Sequence, residues 1–139
     1  MGDLFKLEFE VRDYECDAQG IVNNAIYQHY LEHARHVFLK KNGIDFMALS
    51  KRGIDLVVVR IELDYLYPLR SSDRFTVSAE MEKISRIRFG FRQTIQRLPD
   101  EKPVLQAKVI GTAINSAGRP FLPKELEALI DQAIHFPQI

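Results

Sequence analysis

One stretch of this chain changes period, and that change constrains the fold more than any other feature. From Asn24 to Asn42, Tyr27, Tyr30, Leu31, Ala34, Val37 and Phe38 recur at helical spacing. Asn23 suits the N-cap, because its side-chain oxygen can accept from a free N–H of the first turn. Gly43 suits the stop after Lys40 and Lys41. At about 1.5 Å per residue such a helix is a rod of roughly 28 Å, nearly as long as the domain is wide. The rest of the chain has to be arranged around it.

On both sides of the helix the apolar period is two. Phe5, Leu7, Phe9 and Val11 alternate with Lys6, Glu8 and Glu10, which predicts a half-buried strand. After a connector from Ile44 to Gly53, with a short helical turn over Phe46 to Lys51, alternation returns four times. Val57, Val59, Ile61, Leu63 and Tyr65 face one way against Val58, Arg60, Glu62 and Asp64, and Pro68 ends that strand. Phe75, Val77, Ala79 and Met81 come next, then Ile87, Phe89 and Phe91, then Leu105, Ala107, Val109, Gly111 and Ala113. Turn residues around Leu69–Asp73 and Pro99–Pro103 suggest antiparallel neighbours, while the join near Lys83–Arg86 lacks Gly and Pro. Leu126, Leu129, Ile130 and Ala133 predict a closing helix after Pro123. The small row Ala107, Gly111, Ala113 leaves room where backbone and helix approach closely. Strand, long helix, four strands: the order points to a sheet folded around one central helix.

Composition narrows the classes. At 139 residues, 46% of them hydrophobic and 27% charged, the chain reads as one soluble domain over 1–139 with a sizeable core. Lys plus Arg equals Asp plus Glu at 19 each, so no global field draws it to nucleic acid. A single cysteine, Cys16, rules out an intrachain disulfide and fits a reducing compartment. MGDLFKLEFEV lacks a basic region followed by an apolar run, and no apolar stretch is long enough to span a membrane. The expected location is the cytoplasm.

Between the first strand and the helix lies a polar loop, Asp13 to Gly20, that holds the acid Asp17 and a glycine, Gly20. A carboxylate just before a helix start suits carbonyl chemistry: free N–H groups polarise an oxygen while the acid attacks or activates water. Capping a turn beside Gly20 is the plainer use of the same Asp. Likewise Asn23 and Asn24 can both simply cap, a use compatible with the Asn24 amide donating to a ligand. His29-Tyr30-Leu31-Glu32-His33 matches an H-x-x-E-H zinc pattern, but a catalytic zinc needs a third ligand and core packing explains the helix better. No metal or other cofactor is expected. Glu32 pairing with Arg35 or His36 along the helix is the plainer reading. Arg86, Arg88 and Arg92 fall on one face of a strand with Lys83 nearby, a row that suits the phosphates of coenzyme A or a solvated face. Cys16, flanked by Glu15 and Asp17, is a poor nucleophile.

The loop and helix start read Glu15, Cys16, Asp17, Ala18, Gln19, Gly20, Ile21, Val22, Asn23, Asn24, Ala25, Ile26, Tyr27, followed by Tyr30, Leu31, Glu32, Ala34, Arg35. They resemble the hotdog-fold thioesterases, particularly the 4-hydroxybenzoyl-CoA thioesterase-like group, with its (D/E)-x-D-x-x-G-(I/V/H)-V loop and aromatic-L-E-x-A-R run. The resemblance implies an α+β hotdog fold, a mostly antiparallel five-stranded sheet wrapped around a long central helix. It implies a homodimer or homotetramer with acyl-CoA lying along the subunit interface. It further implies an acyl-CoA thioesterase in which Asp17 is nucleophile or general base and the Asn24 amide binds the thioester oxygen. Gly20, Val22, Asn23 and Tyr27 would then border the substrate, with Arg86 and Arg88 on its phosphates. Alternatives are an acyl-carrier-protein thioesterase and a non-catalytic acyl-thioester-binding module. Many relatives carry His where this chain has Ile21, which leaves the substrate open.

Overall fold

The computed structural model describes residues 4 to 135, with side chains as far as 132. Helix α1 spans Asn24–Lys41, and Asn23 caps it, accepting from the Ala25 N–H at 3.0 Å. At the other end Gly43 follows the last turn with φ 80°, a left-handed conformation that favours glycine. Five long strands wrap the helix: β1 (Phe5–Glu10), β2 (Asp55–Tyr65), β3 (Arg74–Lys83), β4 (Arg88–Leu98) and β5 (Lys102–Ile114). All the pairings are antiparallel, in the order β1–β3–β4–β5–β2. A two-residue β6 (Pro120–Phe121) also pairs with β5, so the sheet has six strands where alternation predicts five. Two residues carry no period to read. Helix α2 (Phe46–Lys51) links α1 to β2, and α3 (Lys124–His135) closes the far end. Ala133, expected on the apolar side of α3, lies outside the described side chains. Among the described residues no helix is long and apolar enough to cross a membrane.

Two sequence expectations need correction. The turn residues at Leu69–Asp73 do not join neighbours, because β2 pairs with β5 at one edge and β3 lies between β1 and β4. Turn chemistry reports a change of direction and says nothing of which strand is met next. Nor does β2 alternate evenly. Val58 lies opposite Gly111 and Arg60 opposite Ile110, so Val59 is an extra residue, a β-bulge. The bulge puts Leu56 and Val58, opposite Ala113 and Gly111, on the same face as Ile61, Leu63 and Tyr65. One inserted residue flips the parity of everything before it.

The inward residues form two cores along α1. Tyr27, Tyr30, Leu31 and Ala34 pack at the N-terminal end with Val22, Leu69, Phe75 and Ile95. There Tyr30 meets Phe75 with ring centroids 4.7 Å apart, and Phe9 stacks on Phe75 at 5.2 Å. Leu39 enters the second core with Met81, Phe89, Phe91, Leu126 and Ile130. The small residue Gly111 does make room, for a different neighbour than expected: a Cβ there would lie 2.7 Å from the Phe89 ring and 2.9 Å from the Val57 carbonyl oxygen. Opposite Ala107, the buried Gln93 reaches α1 and donates to the Leu31 carbonyl at 3.0 Å.

Candidate active site

After β1 the chain makes one 3-10 turn, Asp13–Glu15, and Glu15 is buried. Its Oε1 accepts from the Arg12 N–H at 2.9 Å and from the Tyr30 hydroxyl at 2.8 Å. Its carbonyl accepts from the Asn23 N–H at 3.0 Å. One residue therefore ties the loop's start, the helix flank and the helix cap together. Burial, and next the contact with Glu15, raises the Tyr30 phenol well above its ordinary range.

Beyond this anchor Cys16 bridges to Val22, the Asp17 N–H donates to the Ile21 carbonyl at 2.9 Å, and the Gly20 N–H returns to the Asp17 carbonyl at 3.0 Å. Asp17 through Gly20 is thus a tight turn, closed by Gly20 at φ 79°. The Asp17 side chain is exposed. Its Oδ1 accepts from the Gln19 N–H at 2.9 Å, while Oδ2 has no partner among the described residues. Turn-capping and chemistry do not compete here, since each takes a different oxygen.

Asn23 and Asn24 divide the work at the helix start. The Ala25 N–H goes to the Asn23 side chain and the Ile26 N–H to the Asn23 carbonyl. The Asn24 N–H has no acceptor among the described residues, and it carries the partial positive charge of the helix terminus. Tyr65 of β2 closes one side, with its hydroxyl 3.4 Å from the Asn24 carbonyl and its ring edge-on to Tyr27.

Not every residue expected at the site borders it. Val22 and Tyr27 are buried, 2% and 3% exposed, and belong to the core. The Val22 N–H donates to the Leu69 carbonyl and the Tyr27 hydroxyl accepts from the Leu69 N–H at 3.0 Å, so both fasten the β2–β3 connection. Position within the motif says nothing about which way a side chain points. Asp17 and Gly20 share one turn, which the Cys16–Val22 bridge closes, and Asn23 and Asn24 follow directly at the start of α1. Arg86 is in the turn before β4 rather than on the strand, where Ser85 accepts from the Arg88 N–H at 3.1 Å. Arg88 lies opposite Thr112, whereas Tyr65 lies opposite Leu105, so within one protomer Arg86 and Arg88 are at the other end of the sheet from Asp17. Arg92 is paired with Glu82 at 3.1 Å.

His29 and His33 are exposed, His33 lies edge-on to Phe9, and among the described residues no group of three or more His, Cys, Asp or Glu gathers for a metal. Arg35 does not pair with Glu32. It is buried and donates to Gln93 Oε1 at 3.0 Å. Burial, more than the neighbouring carboxylates, pushes the Cys16 thiol up. Sequence reasoning passed over Glu15 and Tyr30, although Glu15 is the first acid of the loop motif.

The sheet, the helix it wraps and the tied loop invite comparison with known proteins. A model of the thioesterase-like superfamily matches residues 11–138. The chain belongs to the thioesterase-like superfamily. It is 36% identical over 137 residues to the chloroplastic acyl-acyl carrier protein thioesterase ATL3 of Arabidopsis thaliana, covering 98% of this chain and 70% of that protein. Identity to the sister protein ATL2 is 41% over 114 residues, covering 82% and 60%, so this chain spans about two thirds of the plant relatives' length. The long-chain acyl-CoA thioesterase FadM of Escherichia coli is 30% identical over 108 residues, covering 78% and 81%. Among solved structures, the 1,4-dihydroxy-2-naphthoyl-CoA thioesterase of Synechocystis superposes with a TM-score of 0.89 over 96% of this chain and all of that one. At 19% identity that likeness shows the fold, which is the expected α+β hotdog. Thioester hydrolysis is the activity that superfamily membership brings with it.

Proposed function

We propose that the chain, acting as one domain, hydrolyses acyl-CoA to a carboxylic acid and free coenzyme A. The observation that carries this reading is one tied loop holding both a carboxylate oxygen, Asp17 Oδ2, and a helix-start N–H, that of Asn24, neither of which has a partner among the described residues. The thioester oxygen accepts from the Asn24 N–H, which is best placed to stabilise the negative charge that builds on that oxygen as the carbonyl becomes tetrahedral. Asp17 then acts in one of two ways. As a nucleophile it displaces the coenzyme A thiolate and forms a mixed anhydride, which water cleaves. As a general base it takes a proton from the water that attacks directly. In both, water is consumed and a proton ends on the sulfur. Direct attack puts water's oxygen in the acid, while cleavage of the anhydride puts it in the acid or in Asp17 according to which carbonyl is attacked.

Identity to the two plant proteins favours a second carrier for the same chemistry, acyl carrier protein. Thiol release from decanoyl-CoA and from decanoyl-acyl carrier protein separates the two. Faster release from the carrier protein would transfer the assignment, and no release from either would overturn the hydrolase.

The reading includes a second copy of the chain. Strand β2 is eleven residues long and bonds to β5 on one side only, with Val58, Val59, Tyr65 and Leu66 exposed. An edge so long and apolar is a template for pairing. Antiparallel pairing across a two-fold centred near Arg60, the middle of β2, sets Tyr65 of one copy beside Asp55 of the other. The same axis carries Arg86 and Arg88, at the Asp55 end of the sheet, toward the other copy's Asn24, where the phosphates of coenzyme A need cations. Light scattering that returns a monomer would remove this arrangement.

A further inference from the structure

The chain is neutral as a whole, but its charge is not evenly spread. From Lys83 to Lys124 there are nine Lys and Arg residues and two acids, Asp100 and Glu101. Both acids lie in the turn between β4 and β5, where Asp100 engages Arg97. The opposite end of these strands carries Lys83, Arg86, Arg88, Arg119 and Lys124, and no acid of the segment. Four acids from outside the segment approach that end, and each is engaged. Glu82 pairs with Arg92 at 3.1 Å, Glu125 with Arg52 at 2.7 Å and Glu127 with Lys83 at 3.1 Å, while Asp55 accepts from the Ser50 hydroxyl at 2.7 Å. Arg86, Arg88, Arg119 and Lys124 are exposed and form no ion pair among the described residues. Lys124 is also the first residue of α3, where the partial positive charge of a helix start disfavours a cation.

The segments that carry these cations are fastened together. The Thr112 hydroxyl donates to the Ile87 carbonyl at 2.5 Å, between Arg86 and Arg88, and lies 3.4 Å from the Phe121 carbonyl of β6. The Arg119 carbonyl accepts from the Asn115 N–H at 3.0 Å, in the turn that joins β5 to β6. Arg88 lies opposite Thr112, so the stretch from Thr112 to Asn115, about 10 Å at the rise of a strand, separates Arg88 from Arg119. A ligand seated on Arg86 and Arg88 alone leaves Arg119 and Lys124 bare. Covering all four takes a broad acidic face. None of the exposed large hydrophobic side chains among the described residues lies on these segments, which suits neither insertion into a membrane surface nor stacking on bases. A folded acidic protein is the partner that fits.

We infer that this basic end of one copy docks an acidic acyl carrier protein whose thioester is cleaved at the Asp17 and Asn24 of the other. The two-fold along β2 brings the end that carries Arg86 and Arg88 toward that Asn24, so the carrier's arm enters from the surface on which the carrier rests. Coenzyme A, held by Arg86 and Arg88, makes no use of Arg119 or Lys124. The inference rests on the thioesterase reading and gives its second carrier a surface, whichever carrier is turned over faster.

The test compares decanoyl-acyl carrier protein with decanoyl-CoA for the wild type and for the double variant Arg119→Glu, Lys124→Glu. KM for the carrier-protein substrate should rise by roughly tenfold or more in the variant, with kcat kept and decanoyl-CoA kinetics close to native. Added salt, from about 50 to 300 mM, should raise the wild-type KM for the carrier protein more than the variant's. Arg119→Gln with Lys124→Gln should give an intermediate KM and serves if the Glu variant does not fold. An unchanged KM for the carrier protein, or an equal rise for decanoyl-CoA, overturns the inference and leaves the hydrolase intact. So does a wild type that cleaves decanoyl-CoA alone. If neither thioester is cleaved, the hydrolase reading fails, and titration calorimetry with the carrier protein decides the surface. Binding that is weakened about tenfold in the variant supports it, and equal or absent binding overturns it. Binding of anionic vesicles that depends on Arg119 and Lys124, without such binding of the carrier protein, assigns the surface to a membrane and overturns the inference as well.

Discussion

Tyr30 donates its phenolic hydrogen bond to the buried carboxylate of Glu15 at 2.8 Å, joining the first turns of α1 to the start of the loop that carries Asp17. Replacing Tyr30 with Phe keeps the ring against Phe75 and leaves Glu15 Oε1 with the Arg12 N–H alone. Stability should fall by about 1–3 kcal/mol, the penalty for a buried acceptor losing a partner. Urea unfolding measures it, and an unchanged midpoint would mean the bond contributes nothing.

The same residue predicts an alkaline limit. Burial, followed by the Glu15 contact, holds the folded-state pKa of Tyr30 above that of an unfolded tyrosine, about 10. A group raised in this way contributes stability that is whole below the unfolded value and is lost as pH climbs beyond it. The native protein should therefore lose stability from about pH 10 upward, and Tyr30→Phe should lose less of it. Burial raises Tyr27 too, so a smaller slope should survive in the variant. Parallel pH–stability curves for the two proteins would contradict the assignment.

Asp17→Asn separates turn from chemistry. The Asn Oδ1 still accepts from the Gln19 N–H, as Asp17 Oδ1 does now, so the melting temperature should stay close to native. Turnover should drop by roughly 10²–10⁴-fold with loss of the acid. Thiol release at native levels would remove Asp17 from the mechanism.

Asn24→Pro is the sharper probe, because it deletes a backbone donor that side-chain changes leave in place. Position 24 is the first of α1, where proline is well tolerated, and Asn23 is already extended at ψ 138°, as a residue before proline prefers. Helix content should be retained while kcat falls by about 10²–10³-fold. Asn24→Ala, which keeps the N–H, should retain most of it. Equal loss in both variants would shift the role to the side chain.

Gly111→Ala tests the close approach across the sheet. The new methyl would lie 2.7 Å from the Phe89 ring and 2.9 Å from the Val57 oxygen, and the latter is backbone that cannot swing aside. A destabilisation of about 1–3 kcal/mol is expected, read as a lower melting temperature.

The fold was legible where local pattern and tertiary contact agree. Asn23, the spacing of Tyr27 to Phe38, and Gly43 mark α1 because capping and amphipathicity are local properties. Phe75 to Met81 and Leu105 to Ala113 alternate because one face of each strand is buried. The Val59 bulge was not legible, since it exists only in the register with β5. Nor was the partner of β2, which is chosen by contact across the sheet. At the site, the loop motif pointed to Asp17 and Asn24 but made Val22 and Tyr27 look like substrate contacts, because their burial depends on Leu69, a residue more than forty positions further along the chain. Arg35 read as a partner for Glu32 along the helix, whereas its burial and its bond to Gln93, from a distant strand, turn it inward.

Strand order also has a consequence for how the chain is made. β3, β4 and β5 are neighbours in sequence and in space, whereas β2 must pair Tyr65 with Leu105 and Asp55 with Ile114. During synthesis from the N-terminus, β2 leaves the ribosome with neither edge satisfied and waits until β5 has emerged. Through that interval Val57, Val58 and Val59 are open to any other unpaired strand. The residues that follow them, Arg60, Glu62 and Asp64, are charges of the kind that disfavour such pairing.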